Sequence, residues 1–351
     1  MPSSRSAKHL TILAADLLPP AGFAMPTATP VLDGLLARSR VFTSEPCMLE
    51  AAILRAFGLD VDASIVAPLT KLADGGTLAG QAWLRADPVH LAISRDNAQL
   101  FDSHVLNPLP DEMAAIAATV NAHFEHDGIV LNFPDAARGY IATDTNNLPQ
   151  STPLWKMDGA NVFDNLPLSK TRTNWRAVSN EIQMLLHEHP VNLARAQLGT
   201  PAINALWIWG GGSLTQAVAA IDTTIEPPAF TKVVARLALA RGLGLAHALE
   251  VATLPPGFDL DALAADTLVV LHTATRAVRA QSRDTWPVEV AAIERDWIAP
   301  ALSAFDARQF DKLTILLPGE ATSLSLEVYH EGLLAKLVTM LKTKKRLADF
   351  A

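Results

Sequence analysis

Three adjacent glycines and a serine, Gly210-Gly211-Gly212-Ser213, follow the apolar run Leu206-Trp207-Ile208-Trp209. Read as a strand that ends and opens a helix, this stretch aims backbone N–H groups at one point and suits a small anion. It fits equally a tight strand-to-helix turn that needs small residues. It has neither the spacing of a dinucleotide fingerprint nor that of a P-loop. Other polar residues are badly spaced for chemistry. His187 and His189 are two apart on a helix and project to different faces, which favours a solvent-side or capping role. Asp87 and His90 are three apart in a strand and point to opposite faces. Cys47 follows Pro46 without a histidine partner, so nothing marks it as a reactive thiol.

These residues need elements to hold them. Residues 10–16 read as a buried strand with Asp16 at its carboxyl end, and 31–39 and 47–57 carry helical periodicity. From about 78 to 145 the texture is strand-rich. Trp83–Leu91 is a strand whose Pro88 suits a sheet edge, a helix opens at Pro110-Asp111-Glu112, and 129–133 and 139–143 are closing strands. A proline-rich loop over 145–172 leads to a helix from about 174 to 197 and then to the strand at 206–209. Beyond 214, strands at 233–235, 250–254, 267–272 and 313–317 alternate with helices at 237–246, 287–305 and 331–346. Alternation of this kind implies a mostly parallel sheet flanked by helices. The last helix has an apolar stripe and ends in Lys342, Lys344, Lys345 and Arg346, which packing and the helix dipole explain without a partner.

Length and composition bound the rest. A chain of 351 residues, half of them hydrophobic and 18% charged, is long enough for two packed domains. A formal charge of −8 disfavours nucleic acid and anionic membrane as partners. One cysteine excludes an internal disulfide and fits a reducing compartment. Arg5 and Lys8 before Leu10-Thr11-Ile12-Leu13-Ala14-Ala15 imitate a signal peptide, but Asp16 cuts the apolar run short. A cytoplasmic protein is expected.

The segments His189-Pro190-Val191-Asn192 and Pro201-Ala202-Ile203-Asn204-Ala205-Leu206-Trp207-Ile208-Trp209-Gly210 resemble the "HPVN…PANAIWLWG" region of archaeal-type cofactor-independent phosphoglycerate mutases, in the alkaline-phosphatase superfamily. Leu84-Arg85-Ala86, Ala122-His123-Phe124, Ala240-Arg241-Gly242-Leu243-Gly244 and Asp266–His272 resemble further family segments. The chain is still more similar to RpfE-type proteobacterial regulatory proteins, which look like diverged relatives; Trp297…Ala299-Pro300-Ala301-Leu302 carries that likeness. The resemblance implies an alkaline-phosphatase-like α/β domain from residues 1–76 and 146–351, with a small inserted α+β domain at 77–145.

The family's reaction uses two divalent metals and a serine that takes the phosphoryl group. By resemblance, Asp16 stands where the family has a metal-binding aspartate. Ser44 is the only serine near the nucleophile segment, and its offset is wrong; a helix cap is the alternative role. Where ligands follow the family's "VHV" strand, His272 is followed by Arg276 and Arg279, and arginine cannot ligate a metal. Where the family has "TPDHST", Glu320 is the one remaining candidate. Asp16, His272 and Glu320 together make at most one weak site for Mn or Zn, and no other cofactor is expected. Arg85 and Arg241 match family arginines that imply a cleft for phosphorylated three-carbon acids, and Arg276 and Arg279 add charge where ligands are gone. The expected protein is therefore a degenerate mutase-like one, non-catalytic or regulatory, that binds a small phosphorylated anion at Arg85, Gly210, Gly211, Gly212, Arg241, Arg276 and Arg279. Two alternatives stay open: an active metal-dependent mutase or phosphohydrolase, and a protein–protein interaction module.

Overall fold

The computed structural model describes residues 9–24, 29–56, 66–74, 82–94, 98–157, 160–167, 171–213, 266–330 and 346–350. The expected helices at 237–246 and 331–346, the strands at 233–235 and 250–254, and Arg241 lie outside these residues. The chain divides into two compact units. Unit one is Met1–Ile53 with Val251–Ala351, and unit two is Leu54–Glu250.

Unit one is built on β1 (His9–Ala14), whose residues after His9 are mostly buried on both faces of the sheet. It pairs in parallel with β8 (Asp266–Leu271) on one side and β9 (Lys312–Leu317) on the other. β10 (Ser323–Tyr329) runs antiparallel to β9 and also to the edge strand β2 (Arg40–Ser44), giving the order β2-β10-β9-β1-β8. The described sheet is thus mixed, because the short turn at 318–322 returns the chain as a hairpin and not as a crossover. Helix α1 (Pro30–Arg38) begins on a proline and buries Leu32, Leu35 and Leu36, spaced on one face. The helix expected over 287–305 is two helices, α9 (Thr285–Ile293) and α10 (Ala299–Asp306), joined by a π turn at Glu294–Ile298. Pro300 has no N–H for a helical bond and its ring crowds the preceding turn, which the wider turn relieves. α8 (Thr273–Arg279) follows β8 directly.

Unit two is an antiparallel sheet around the long strand β3 (Ala82–Ile93). β4 (Ala98–Phe101) and β6 (Arg138–Thr143) share one side of it, with β5 (Leu131–Asp135) beyond β6 and β7 (Ala205–Ser213) on the other side. Helices α5 (Pro110–His123) and α6 (Trp175–His187) cover the face that carries Leu84, Ala86, Leu206 and Ile208. The opposite face carries Arg85, Asp87 and Trp209 and meets α3 (Val66–Ala73). Between β4 and α5 lies the short α4 (Ser103–Leu106).

Three expectations are corrected here. The insertion does not stop at 145. β7 pairs with β3 and not with the parallel strands, so residues 146–213 fall in unit two with 77–145. Pro88 is not on an edge strand: it pairs with Leu206 on one side. On its other side it falls in the gap between the β6 ladder, which ends at Arg85, and the β4 ladder, which starts at His90, so no ladder bond is lost. The helix expected over 174–197 breaks into α6 and α7 (Pro190–Gln197), with His189 as the cap between them.

That break explains the His189–Trp209 segment. His189 accepts from the Val191 N–H through Nδ1, and Pro190 takes the first helical position. The Asn192 amide donates to the Leu186 and Ile203 carbonyls and accepts from the Ile203 N–H, all at 2.8 Å. Arg195 reaches Glu112 and the carbonyls of Leu106 and Pro201. These residues tie two helices to the start of β7; they stabilise the fold.

Candidate functional site

The carboxyl ends of β1, β8 and β9 lie at one edge of the unit-one sheet, because those strands are mutually parallel. Ligands bind at such edges in open α/β sheets. Asp16 follows β1, His272 follows β8, and Gly319-Glu320 follows β9. The end of β2 and the start of β10 arrive at the same edge, since Ser44 pairs with Ser323. Helix α2 (Leu49–Ala56) then brings Glu50.

Asp16 is buried and adopts a left-handed backbone with φ 59°. Its N–H donates to the Pro318 carbonyl at 3.0 Å, and its own carbonyl accepts from Trp286 Nε1 at 2.7 Å. Burial pushes its carboxyl up to about 6. The Thr275 hydroxyl and Arg279 pull the other way, while Glu50 and Glu320 add to the rise. Arg279 Nη2 meets Glu50 Oε1 at 2.5 Å. Arg276 is half-buried, and among the described residues its Nη1 is enclosed without a hydrogen-bond partner; so are the hydroxyls of Thr275 and Ser323. Thr275 faces the Asp16 carboxyl but does not close a hydrogen bond of ordinary geometry.

The other unit-one candidates are placed as follows. Ser44 is exposed on edge strand β2, five residues ahead of α2, so it does not cap that helix. Glu320 is exposed and accepts from the Ala21 N–H at 3.1 Å. His272 is buried at the start of α8. The donor set fits a two-metal centre poorly on chemical grounds: Glu50 is engaged by Arg279, and the positions after β8 carry two guanidinium groups, which cannot ligate a metal.

Arg85 and the glycines belong to unit two, where Arg85 is ion-paired and the glycines lie within a strand. Arg85 has no exposed surface. Its Nε and Nη2 grip both oxygens of Asp87 at 2.9 and 2.8 Å, and Nη1 reaches Thr70. Trp209 Nε1 donates to the same Asp87 at 2.8 Å, and the guanidinium lies over the Trp209 and Tyr140 rings. Arg85 is therefore spent on an internal ion pair, which balances its burial charge for charge. Beside it, Arg138 holds Asp74 through two bonds, and the Tyr140 hydroxyl donates to Asp74 at 2.7 Å.

Gly210, Gly211 and Gly212 do not open a helix but continue β7. Gly210 and Gly211 together oppose Leu84, since Trp83 pairs with Gly212 and Arg85 with Trp209. This is a β-bulge with glycine at its left-handed position, φ 65°. A Cβ on Gly211 would stand 2.5 Å from the Leu84 side chain. Bulge geometry and packing account for these glycines, which start no helix of the kind expected to cradle an anion.

Glu50 and Ser323 were not among the residues singled out from the sequence. Glu50 shows only as an acid in the first turn of a helix, which the helix dipole already explains. Ser323 follows a turn and looks like any loop hydroxyl. The approach of Glu50 to Asp16 and Arg279, and the arrival of Ser323 at the same sheet edge, depend on long-range packing and strand order, which no local signal encodes.

No protein-family profile matches the chain. Two curated proteins are similar, both 2,3-bisphosphoglycerate-independent phosphoglycerate mutases. The protein from Methanosarcina mazei is 25% identical over 237 residues, 64% of this chain and 57% of that protein. Its counterpart from Methanosarcina acetivorans is 25% identical over 198 residues, 52% of this chain and 48% of the relative. The chain spans about half the length of the curated relatives it matches. Among solved structures, a Pyrococcus horikoshii protein aligns over 92% of this chain and 88% of its own, with TM-score 0.48 and 17% identity. A cofactor-independent phosphoglycerate mutase from Thermoplasma acidophilum aligns over 93% and 91%, with TM-score 0.39 and 15% identity. The chain is a mixed α/β protein with weak similarity in sequence to archaeal-type cofactor-independent phosphoglycerate mutases.

Proposed function

We propose that this protein is a degenerate phosphoglycerate-mutase-like protein of the RpfE-type regulatory kind, acting in the bacterial cytoplasm. On this reading it has lost two-metal catalysis and binds a small phosphorylated acid at the carboxyl edge of the unit-one sheet. The observation that carries the proposal is Arg276, a half-buried cation whose Nη1 has no hydrogen-bond partner among the described residues. A buried donor left unmade costs about 1–3 kcal/mol, and more when charged. A phosphate or carboxylate oxygen supplies the missing acceptor, and guanidinium binds such groups in two-pronged fashion. The hydroxyls of Thr275 and Ser323 offer further bonds at the same edge. The names of the related mutases point to phosphoglycerate as the ligand class.

Calorimetry with 3-phosphoglycerate in the presence of EDTA tests the proposal. Binding should occur without divalent metal and be lost in Arg276→Ala. Binding that needs manganese, or interconversion of 2- and 3-phosphoglycerate abolished by Asp16→Ala, would favour the active metal enzyme instead. No binding at millimolar ligand would leave the interaction-module reading.

A further inference from the structure

The outer edge of a sheet exposes unpaired N–H and C=O groups, and folds usually blunt it. Two described edges of unit two are blunted by asparagines. Asn121 bonds both the N–H and the carbonyl of Leu131 on β5, a strand that also carries Pro134. Asn161 accepts from the Ala98 N–H on β4 at 3.3 Å. In unit one, β2 is treated differently. β10 pairs with it on one side, and among the described residues neither a strand nor a capping side chain lies on the other. Phe42 at its centre is 52% exposed, and Arg40, Thr43 and Ser44 are exposed beside it. One bond gives the sense of this edge. The Thr322 hydroxyl donates to the Ser44 carbonyl at 3.3 Å, so Ser44 turns its backbone groups toward β10. Such groups alternate along a strand: Phe42 and Arg40 turn theirs the same way, and Val41 and Thr43 turn theirs to the open side.

We propose that β2 is a dimerisation edge: it pairs antiparallel with β2 of a second copy of this chain, about a two-fold axis through Phe42, and joins two five-stranded sheets into one. The strand is its own complement. In this register Val41 lies opposite Thr43 of the second copy, and these are the residues whose backbone groups face outward, so each such pair exchanges both N–H···O bonds. Phe42 lies opposite its own copy at a non-bonded position, where side chains come closest and an aromatic pair is favoured. Arg40 lies opposite Ser44, which keeps the two guanidinium groups apart, and each already sits over the Tyr329 ring of its own chain. A slip of one residue sets outward groups against inward ones and loses the ladder, and a slip of two leaves part of the strand unpaired. The two-fold axis uses up the open edge of both copies, so the assembly closes at a dimer.

Sedimentation velocity on the full chain, over micromolar to submillimolar protein, reads the dimer directly. Wild type should dimerise as concentration rises. Thr43→Pro removes an outward N–H without touching the ladder to β10, and should weaken the dimer about tenfold or more while far-ultraviolet dichroism stays that of wild type. If Thr43→Pro does not fold, Phe42→Lys sets two ammonium groups across the axis and should give monomer. Phe42→Cys locates the contact. Non-bonded pairs hold their Cα atoms about 4.5 Å apart, within disulfide reach, so mild oxidation should yield a covalent dimer. Arg40→Cys should not, because the two copies of that position stand about 14 Å apart. Cys47, the native cysteine, is buried and gives little background. Wild type that stays monomeric overturns the proposal, since the edge is then left to another chain or to none. So does a dimer that survives in folded Thr43→Pro or Phe42→Lys, or a Phe42→Cys variant that crosslinks no better than Arg40→Cys.

Discussion

Asp16→Asn isolates the electrostatic cost of the unit-one edge. Burial pushes the Asp16 carboxyl from 3.8 up to about 6. The fold therefore favours its neutral form by about 3 kcal/mol, taking 1.36 kcal/mol per unit. The sign follows from the raised value. The favourable contribution of the protonated carboxyl is complete below the unfolded value of 3.8 and is lost as pH rises through about 6. At pH 8 the folded protein carries the whole cost of a buried carboxylate. Asparagine has the same shape, tolerates the left-handed backbone at φ 59°, and carries no charge. The variant should be more stable than wild type by about 2–3 kcal/mol at pH 8 and nearly equal to it at pH 4. Urea unfolding in EDTA, followed by far-ultraviolet dichroism at both pH values, measures the difference. A variant no more stable than wild type at pH 8, or a gain that does not change with pH, would refute the argument.

Arg85→Ala should destabilise unit two by about 3–5 kcal/mol, because it strands the buried Asp87 carboxylate. It should leave phosphate affinity unchanged; loss of binding with stability retained would restore Arg85 as a ligand-binding residue. Gly210→Ala places a Cβ on a backbone with φ 65° and should cost about 1–2 kcal/mol in urea titration. Gly139→Ala should be worse, since its Cβ would stand 2.1 Å from the Ala86 carbonyl oxygen, a backbone atom that cannot swing aside.

The sequence was most legible where one residue type had one local job. Pro110 marks the start of a helix, and the apolar run over 10–14 becomes a strand. The segment that carries the family resemblance, His189 to Trp209, does structural work, so it speaks for a shared fold more than for shared chemistry. Long-range pairing was not legible. Leu206-Trp207-Ile208-Trp209 is apolar enough for a parallel core, yet it joins an antiparallel sheet whose two faces are both buried. Arg85 and Asp87 illustrate the limit for sites. Two residues apart on a strand, they share a face, and the sequence alone cannot say whether that face meets a ligand or, as here, another part of the chain.

The order of the unit-one sheet bears on how the chain is made. β1 leaves the ribosome well before its partners β8 and β9, which begin at Asp266 and Lys312. From Ala14 to Asp266 the ribosome adds 252 residues, which at common synthesis rates takes roughly 13 to 50 s. Throughout that interval an apolar strand has none of its parallel neighbours, while the residues of the unit-two sheet, which end at Ser213, are all present before β8 appears. Nascent chains stalled after residue 213 should therefore protect β3 and β7 from hydrogen exchange while leaving β1 open to holdase chaperones. A strand made long before its partners is thus among the last to find its place.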